Sequence, residues 1–285
     1  MDPRLTLPTE PIGRPLRVCI VTQEDPFYIP LFFREFLINP PQIDLLGIMI
    51  QPPLGTRGGH DLAGRIWSLY GAFGFIRIGF RYLGATLRQR VWPRDTSVAH
   101  YAEAAGIPLL SFPPEPSLLS KTGRPIPNNA NGPTFIGWLR DQKIDLVVSV
   151  SASQIFRATV LSTPTFGAIN LHNAPLPWYR GMLPNFRQMA AGERESVLTI
   201  HEMRVQLDRG DILLQRGTPI EPGMSLDALI RATKIQSARA LRDLLESIAR
   251  GEATLTPLPD EEGSYFGWPT RAEARAFRRR GGRLL

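Results

Sequence analysis

Two runs of the chain, LRVCIVT at 16–22 and IDLVVSV at 144–150, are apolar almost without a break. A strand with one wet face alternates apolar and polar residues. A continuous run belongs to a strand covered on both faces, as in a parallel sheet. The first run is followed by a helical segment, Ile29 to Leu37, and then by a second apolar run, IDLLGIMI at 43–50. This β-α-β opening predicts an α/β fold with a doubly wound, mostly parallel sheet. Such sheets bind ligands beyond the carboxyl ends of their strands.

The rest of the chain can be placed around that frame. Residues 1–14 carry three prolines and read as a flexible or surface-laid leader. The main domain is expected over 15–255, with a short C-terminal extension over 256–285. Asp95 to Ala105 reads as a helix, Ile107 to Leu110 as a short strand, and 112–132 as a long loop rich in proline, asparagine and glycine. Phe135 to Gln142 is helical, and Ile212 to Ile220 is a strand. Leu226 to Ala249 sets Leu226, Leu229, Ile230, Ala238, Leu241 and Leu245 at helical spacing, which predicts an amphipathic helix. Gly55, Gly58 and Gly59 do not follow the first strand as a dinucleotide fingerprint requires, and read as a surface loop.

The segment 62–91 stands apart. It carries Trp67, Tyr70, Phe73, Phe75, Phe80 and Tyr82 interleaved with Arg65, Arg77, Arg81, Arg88 and Arg90, and has no acidic residue. Two readings fit. One is a helical insertion that buries its aromatics on the domain or in a homodimer contact. The other is an interfacial helix pair lying on anionic lipid.

Chemistry concentrates between Ala168 and Gln215. A short apolar strand delivers Asn170 and His172 two residues apart, hence on one face. A proline-rich turn follows, then a helical run to about Gly192, an alternating strand from Ser196 to Met203, and an Asp-Arg-Gly-Asp turn that presents Asp208. An amide can stabilise an oxyanion, an imidazole can donate to it or relay a proton, and a carboxylate can accept the proton of an attacking amine. The three groups together suit acyl transfer to an amine.

The order Asn-x-His, then Leu-Pro-x-Tyr-Arg-Gly, then Leu-Asp-x-Gly-Asp-Ile resembles the formyltransferases that use 10-formyltetrahydrofolate. That family includes glycinamide ribonucleotide, methionyl-tRNA and sugar-nucleotide amine formyltransferases. The resemblance implies the formyltransferase fold, 10-formyltetrahydrofolate as co-substrate, and Asn170, His172 and Asp208 as catalytic residues. It further implies a folate pocket at Gln154, Ile155, Phe156 and Met203, and acceptor contacts at Trp178, Tyr179, Arg180 and Gly181, with Trp268 as a further stacking surface. One departure is visible: many members read His-x-Ser-Leu-Leu-Pro, whereas here Ala174 stands where the serine hydroxyl would be. Ser264 to Thr270 resembles the link that leaves the catalytic domain in methionyl-tRNA and sugar formyltransferases. Only a basic helix, Arg271 to Arg280, and a short tail follow. A C-terminal tRNA-gripping barrel is therefore not expected, and an amino sugar on a nucleotide or lipid carrier is the expected acceptor.

Composition narrows the alternatives. The formal charge of +7 points to anionic partners, without choosing among phosphorylated substrate, folate glutamates, nucleic acid and a membrane surface. With Cys19 the only cysteine, no internal disulfide can form, which fits a reducing cytoplasm. No apolar run is long enough to span a bilayer. His60, His100, His172 and His201 lack metal-ligand spacing, so no metal is expected. His60, His100 and His201 read as structural, with His201 able to line the site. No nucleophile elbow or phosphate-binding loop is present. Two rivals stay open: a formyltetrahydrofolate hydrolase with water as acceptor, and a non-catalytic scaffold or membrane-surface protein of the same fold.

Overall fold

The computed structural model describes residues 4–25, 27–52, 59–91, 97–115, 123, 125–260 and 262–285. Among these residues the strands are β1 (Leu16–Gln23), β2 (Ile43–Gln51), β3 (Leu109–Leu110), β4 (Leu146–Val150), β5 (Gly167–His172), β6 (Arg180–Gly181), β7 (Glu195–Glu202), β8 (Ile212–Pro219) and β9 (Tyr265–Phe266). The helices are α1 (Ile29–Ile38), α2 (Gly59–Val91), α3 (Val98–Ala104), α4 (Pro133–Asp141), α5 (Ala158–Leu161), α6 (Pro184–Ala191), α7 (Leu226–Ala249) and α8 (Arg271–Arg279). Seven strands form one sheet in the order β3-β2-β1-β4-β5-β7-β8, and β6 pairs with β9. Pairing is parallel from β3 to β5 and antiparallel onward to β8. The expected mostly parallel α/β sheet is the observed one.

The unbroken apolar runs are explained by their two covers. Leu16, Val18 and Ile20 of β1 pack on one side with Phe32, Phe33 and Phe36 of α1 and Leu241 and Leu245 of α7. Cys19 and Val21 face the other side, with Phe135 and Leu139 of α4 and Val160 of α5. Each fully buried phenylalanine contributes roughly 2–3 kcal/mol, so α1 is fastened mainly by its three rings. Ser225 caps α7 by accepting from Ala228 N at 3.2 Å. Burial of Cys19 pushes its thiol pKa upward, so it behaves as a small apolar group.

Five expectations change in detail. The leader is not free: Leu5 is buried and joins the core with Leu7 and Ile12 against it. Thr6 N donates to Phe166 O (3.0 Å) and Ile12 N to Ala249 O (3.1 Å). Prolines here stiffen an extended strap whose apolar residues find a groove at the core edge. The helix expected from Asp95 begins at Val98, capped by Ser97, while Asp95 lies outside the described residues. The short strand contracts to β3. The loop expected over 112–132 falls partly outside them, but its last residues are tied down: Asn128 Nδ2 donates to Ile50 O at 2.7 Å, and Ala130 is fully buried. Gly55 and Gly58 also lie outside the described residues, and Gly59 opens α2.

α2 is two arms joined at Gly71, whose φ of 70° interrupts the helix. The first arm packs on the C-terminal extension. Leu69 is buried with Phe186, Leu226 and Phe277, while Arg278 and Trp268 donate to Leu69 O and Arg65 O. The second arm is moored through Arg81, which shares the Asp227 carboxylate with the Tyr28 hydroxyl. Its aromatics are not all buried: Phe73 is 82% and Phe80 71% exposed. The described helices include none long and apolar enough to cross a membrane.

Candidate active site

β5 and β7 lie side by side and antiparallel, in a register that sets Asn170 opposite His201 and His172 opposite Thr199. Strand alternation puts Asn170 and His172 on one face, and the register adds His201 to it. The loop leaving β5 is held from below. Thr199 Oγ1 donates to Ala174 O (2.6 Å), Gln188 Nε2 to Asn173 O (2.8 Å) and Ser237 Oγ to Asn173 Oδ1 (3.2 Å). Thr199 thus secures the backbone carbonyl of Ala174, whose side chain is fully buried.

The turn after β7 is built around Glu202, a buried carboxylate. Arg204 Nε donates to it at 2.8 Å, Asp211 N at 3.3 Å and Leu5 N at 2.6 Å. Arg204 also reaches Asp211 at 3.0 Å. Gly210 lies so close to the strand that a Cβ there would sit 1.9 Å from Glu202 O. The tight turn presents Asp208, itself in the left-handed region at φ 52° and nearly buried. Asp tolerates that conformation better than most residues because its short side chain bonds locally.

Asp208 Oδ2 stands 4.0 Å from His172 Nδ1, and Oδ1 stands 3.7 Å from His201 Nε2. Neither distance is a hydrogen bond, so the carboxylate stays open to a third group. His201 Nδ1 lies 2.7 Å from Glu202 O, and a carbonyl only accepts, so Nδ1 carries the proton. Nε2 then accepts from Asn170 Nδ2 at 3.2 Å, which fixes which end of the amide points where. Burial, reinforced by the nearby His172 and opposed by Asp208, holds the His201 pKa down at about 4. His201 is thus a neutral acceptor that orients Asn170. His172 Nε2 is buried and has no hydrogen-bond partner among the described residues.

These groups open on a cavity of about 400 Å³ at the carboxyl ends of β4 and β5. That volume is in the range of small-molecule sites. Its other wall is the loop after β4. Ser151 adopts φ 55° there, and its hydroxyl accepts from Lys234 Nζ at 2.8 Å. Burial pushes the Lys234 pKa below its ordinary value. Gln154 Oε1 accepts from Ala130 N (2.9 Å), Phe156 is buried beneath, and Ile155 is exposed.

Of the residues expected at the site, Asn170, His172, Asp208, Gln154, Ile155, Phe156, Met203 and Gly181 all line this cavity. Trp178, Tyr179 and Arg180 stand outside its lining. Tyr179 stacks on Phe266 and donates its hydroxyl to Glu193 at 2.6 Å, and Arg180 Nη2 donates to Glu262 O at 3.0 Å. Gly181 is required by packing: a Cβ would lie 2.2 Å from Phe266 O of β9. Trp268 is committed to α2, with Arg65 over its ring. The described residues contain no cluster of histidine, cysteine and acidic side chains that could hold a metal.

A family model described as formyl transferase matches residues 92–245, which span the loop after β4, β5, β7 and the Asp208 turn. The chain belongs to the formyl transferase family. Among curated relatives of that family, the methionyl-tRNA formyltransferase of Alcanivorax borkumensis is 35% identical over 149 residues, 52% of this chain and 45% of its own. That of Rhodopseudomonas palustris is 29% identical over 182 residues, 64% of this chain and 54% of its own. The chain spans about half the length of the curated relatives it matches. The fold is shared with glycinamide ribonucleotide transformylase 1 from Symbiobacterium toebii. There the TM-score is 0.56 at 15% identity, covering 87% of this chain and 96% of that one. It is shared also with an N-formyltransferase from Helicobacter canadensis solved with folinic acid and dTDP-3-aminofucose. In that case the TM-score is 0.51 at 15% identity, covering 88% of this chain and 71% of that one.

Proposed function

We propose that this chain transfers a formyl group from 10-formyltetrahydrofolate to a primary amine, and that the amine belongs to an amino sugar on a nucleotide or lipid carrier. The observation that carries the transfer is the convergence of Asn170, His172 and Asp208 on one cavity, with a buried His172 nitrogen still lacking a partner. The folate would be held by Gln154, Ile155, Phe156 and Met203, a mix of apolar surface and one amide suited to a flat heterocycle. The amine attacks the formyl carbon, forming the new C–N bond. The Asn170 amide, aimed by His201, and protonated His172 stabilise the resulting oxyanion. Asp208 takes the proton released from the amine. Collapse of the tetrahedral adduct then breaks the bond to the folate nitrogen, which leaves with the proton that Asp208 took from the amine, passed on directly or through water.

The acceptor reading is supported by the N-formyltransferase solved with an amino-sugar nucleotide, and Trp178, 45% exposed, offers a stacking surface outside the cavity. The curated relatives are named for methionyl-tRNA, which makes charged tRNA the competing acceptor. The test is release of tetrahydrofolate from 10-formyltetrahydrofolate with an amino-sugar nucleotide panel, with initiator methionyl-tRNA, and with neither. Release that depends on an amino sugar is the expected result. Dependence on tRNA would reassign the acceptor, release without any amine would make the protein a hydrolase, and no release in any arm would overturn the transfer itself.

A further inference from the structure

The second arm of α2 carries an apolar stripe that the chain leaves uncovered. Phe73, Ile76, Phe80, Leu83 and Leu87 are 82%, 55%, 71%, 54% and 54% exposed. At about 100° per residue these five side chains fall within an arc of roughly 80° along the helix. The opposite side is the one that meets the domain: Gly74 is buried, Arg81 pairs with Asp227, and Tyr82 meets Phe27 edge-on. The stripe is therefore a single outward face. A contiguous apolar face of that kind on a soluble domain marks a contact with something else.

The 3-4-3-4 spacing would also suit a two-stranded coiled coil with a second copy. Charge decides between the two occupants. The positions flanking the stripe are Arg77, Gly79, Gly84 and Thr86, and no acidic residue occurs anywhere from 62 to 91. Two copies paired on this face would gain no interhelical ion pair and would bring arginines together. Arg77, exposed beside the stripe, instead suits a surface that supplies the negative charge itself. The aromatic and arginine composition is that of helices lying in a lipid interface.

We propose that the outer arm of α2 is a monotopic membrane anchor that lays Phe73, Ile76, Phe80, Leu83 and Leu87 into an anionic lipid surface, with Arg77 at headgroup level. The mooring through Arg81, Asp227 and Tyr28 ties this arm to α7 and to the start of α1, so the domain is held against the surface rather than tethered to it. The anchor is independent of the transfer reaction, and its test does not use activity.

The purified full chain is floated with phosphatidylcholine vesicles and with vesicles that also contain phosphatidylglycerol. Binding to the anionic vesicles is expected to be weakened at least about tenfold by Phe73→Ser combined with Phe80→Ser. Arg77→Glu should weaken binding less, and its effect should shrink as salt is raised. Circular dichroism and Tm confirm that the variants, altered at exposed positions, remain folded. Failure of the wild-type chain to float with anionic vesicles would overturn the proposal. So would concentration-dependent dimerisation in light scattering that the double substitution abolishes, because a second copy would then own the stripe.

Discussion

Where β5 pairs with β7, charged and polar side chains are buried and their neighbours account for most of them. On the outer arm of α2, apolar side chains face water and arginines stand beside them. The first region is assembled by the chain's own register, which holds Asn170, His201 and Glu202 through named partners and leaves His172 Nε2 and the Asp208 carboxylate open toward the cavity. The second is complete only with a surface from outside. Substitutions should therefore act through different quantities: turnover and stability at the β5–β7 pairing, surface partition alone on the arm.

The sharpest break of that contrast is Asp208→Asn. Asparagine tolerates φ near +50° and keeps the shape, so Tm should hold while turnover falls by about 10³-fold or more, measured as amine-dependent folate release. Near-normal turnover would remove Asp208 from the chemistry. Gly210→Ala comes next. A Cβ placed against Glu202 O must displace the turn, at a cost of about 3 kcal/mol in denaturant unfolding, with turnover lost along with it.

The third prediction concerns pH. His201 is neutral in the fold with a pKa near 4, against 6.5 for an ordinary histidine, so unfolding takes up a proton at intermediate pH. Its contribution is complete above pH 6.5 and is lost as pH falls toward 4, by up to about 3 kcal/mol. His201→Gln should flatten that part of the stability profile, and an unchanged pH slope would contradict the assignment. The smallest effect belongs to the arm: Phe73→Ser should change stability by no more than about 0.5 kcal/mol, because the ring touches little. A larger loss would mean that the stripe packs on the domain after all.

How much of this was legible in the sequence depends on the range of the signal. Asn170 and His172 were legible because strand alternation is local, and Asp208 because its turn motif stands at matched spacing from them. His201 was set aside as structural, since its role depends on the register of β7 against β5, which two distant segments determine together. The strand alternation that brought Asn170 and His172 together would have flagged it had an antiparallel return been assumed. Trp178, Tyr179 and Arg180 were read as acceptor contacts from their place in a motif. The structure sets them beside the cavity rather than in its lining, with the Arg180 backbone paired to β9. The prolines of the leader suited either a flexible or a surface-laid segment, and composition does not register that Leu5 has a groove waiting.

That groove has a bearing on how the molecule comes into being. The hydrogen bond from Leu5 N to Glu202 closes 197 residues of chain, and Glu202 is the anchor of the turn that carries Asp208. During synthesis the strap emerges before the sheet strands, and the Leu5 amide must wait until β7 has been made before it finds Glu202. The turn that carries Asp208 thus receives this tie only when two distant parts of the sequence have met.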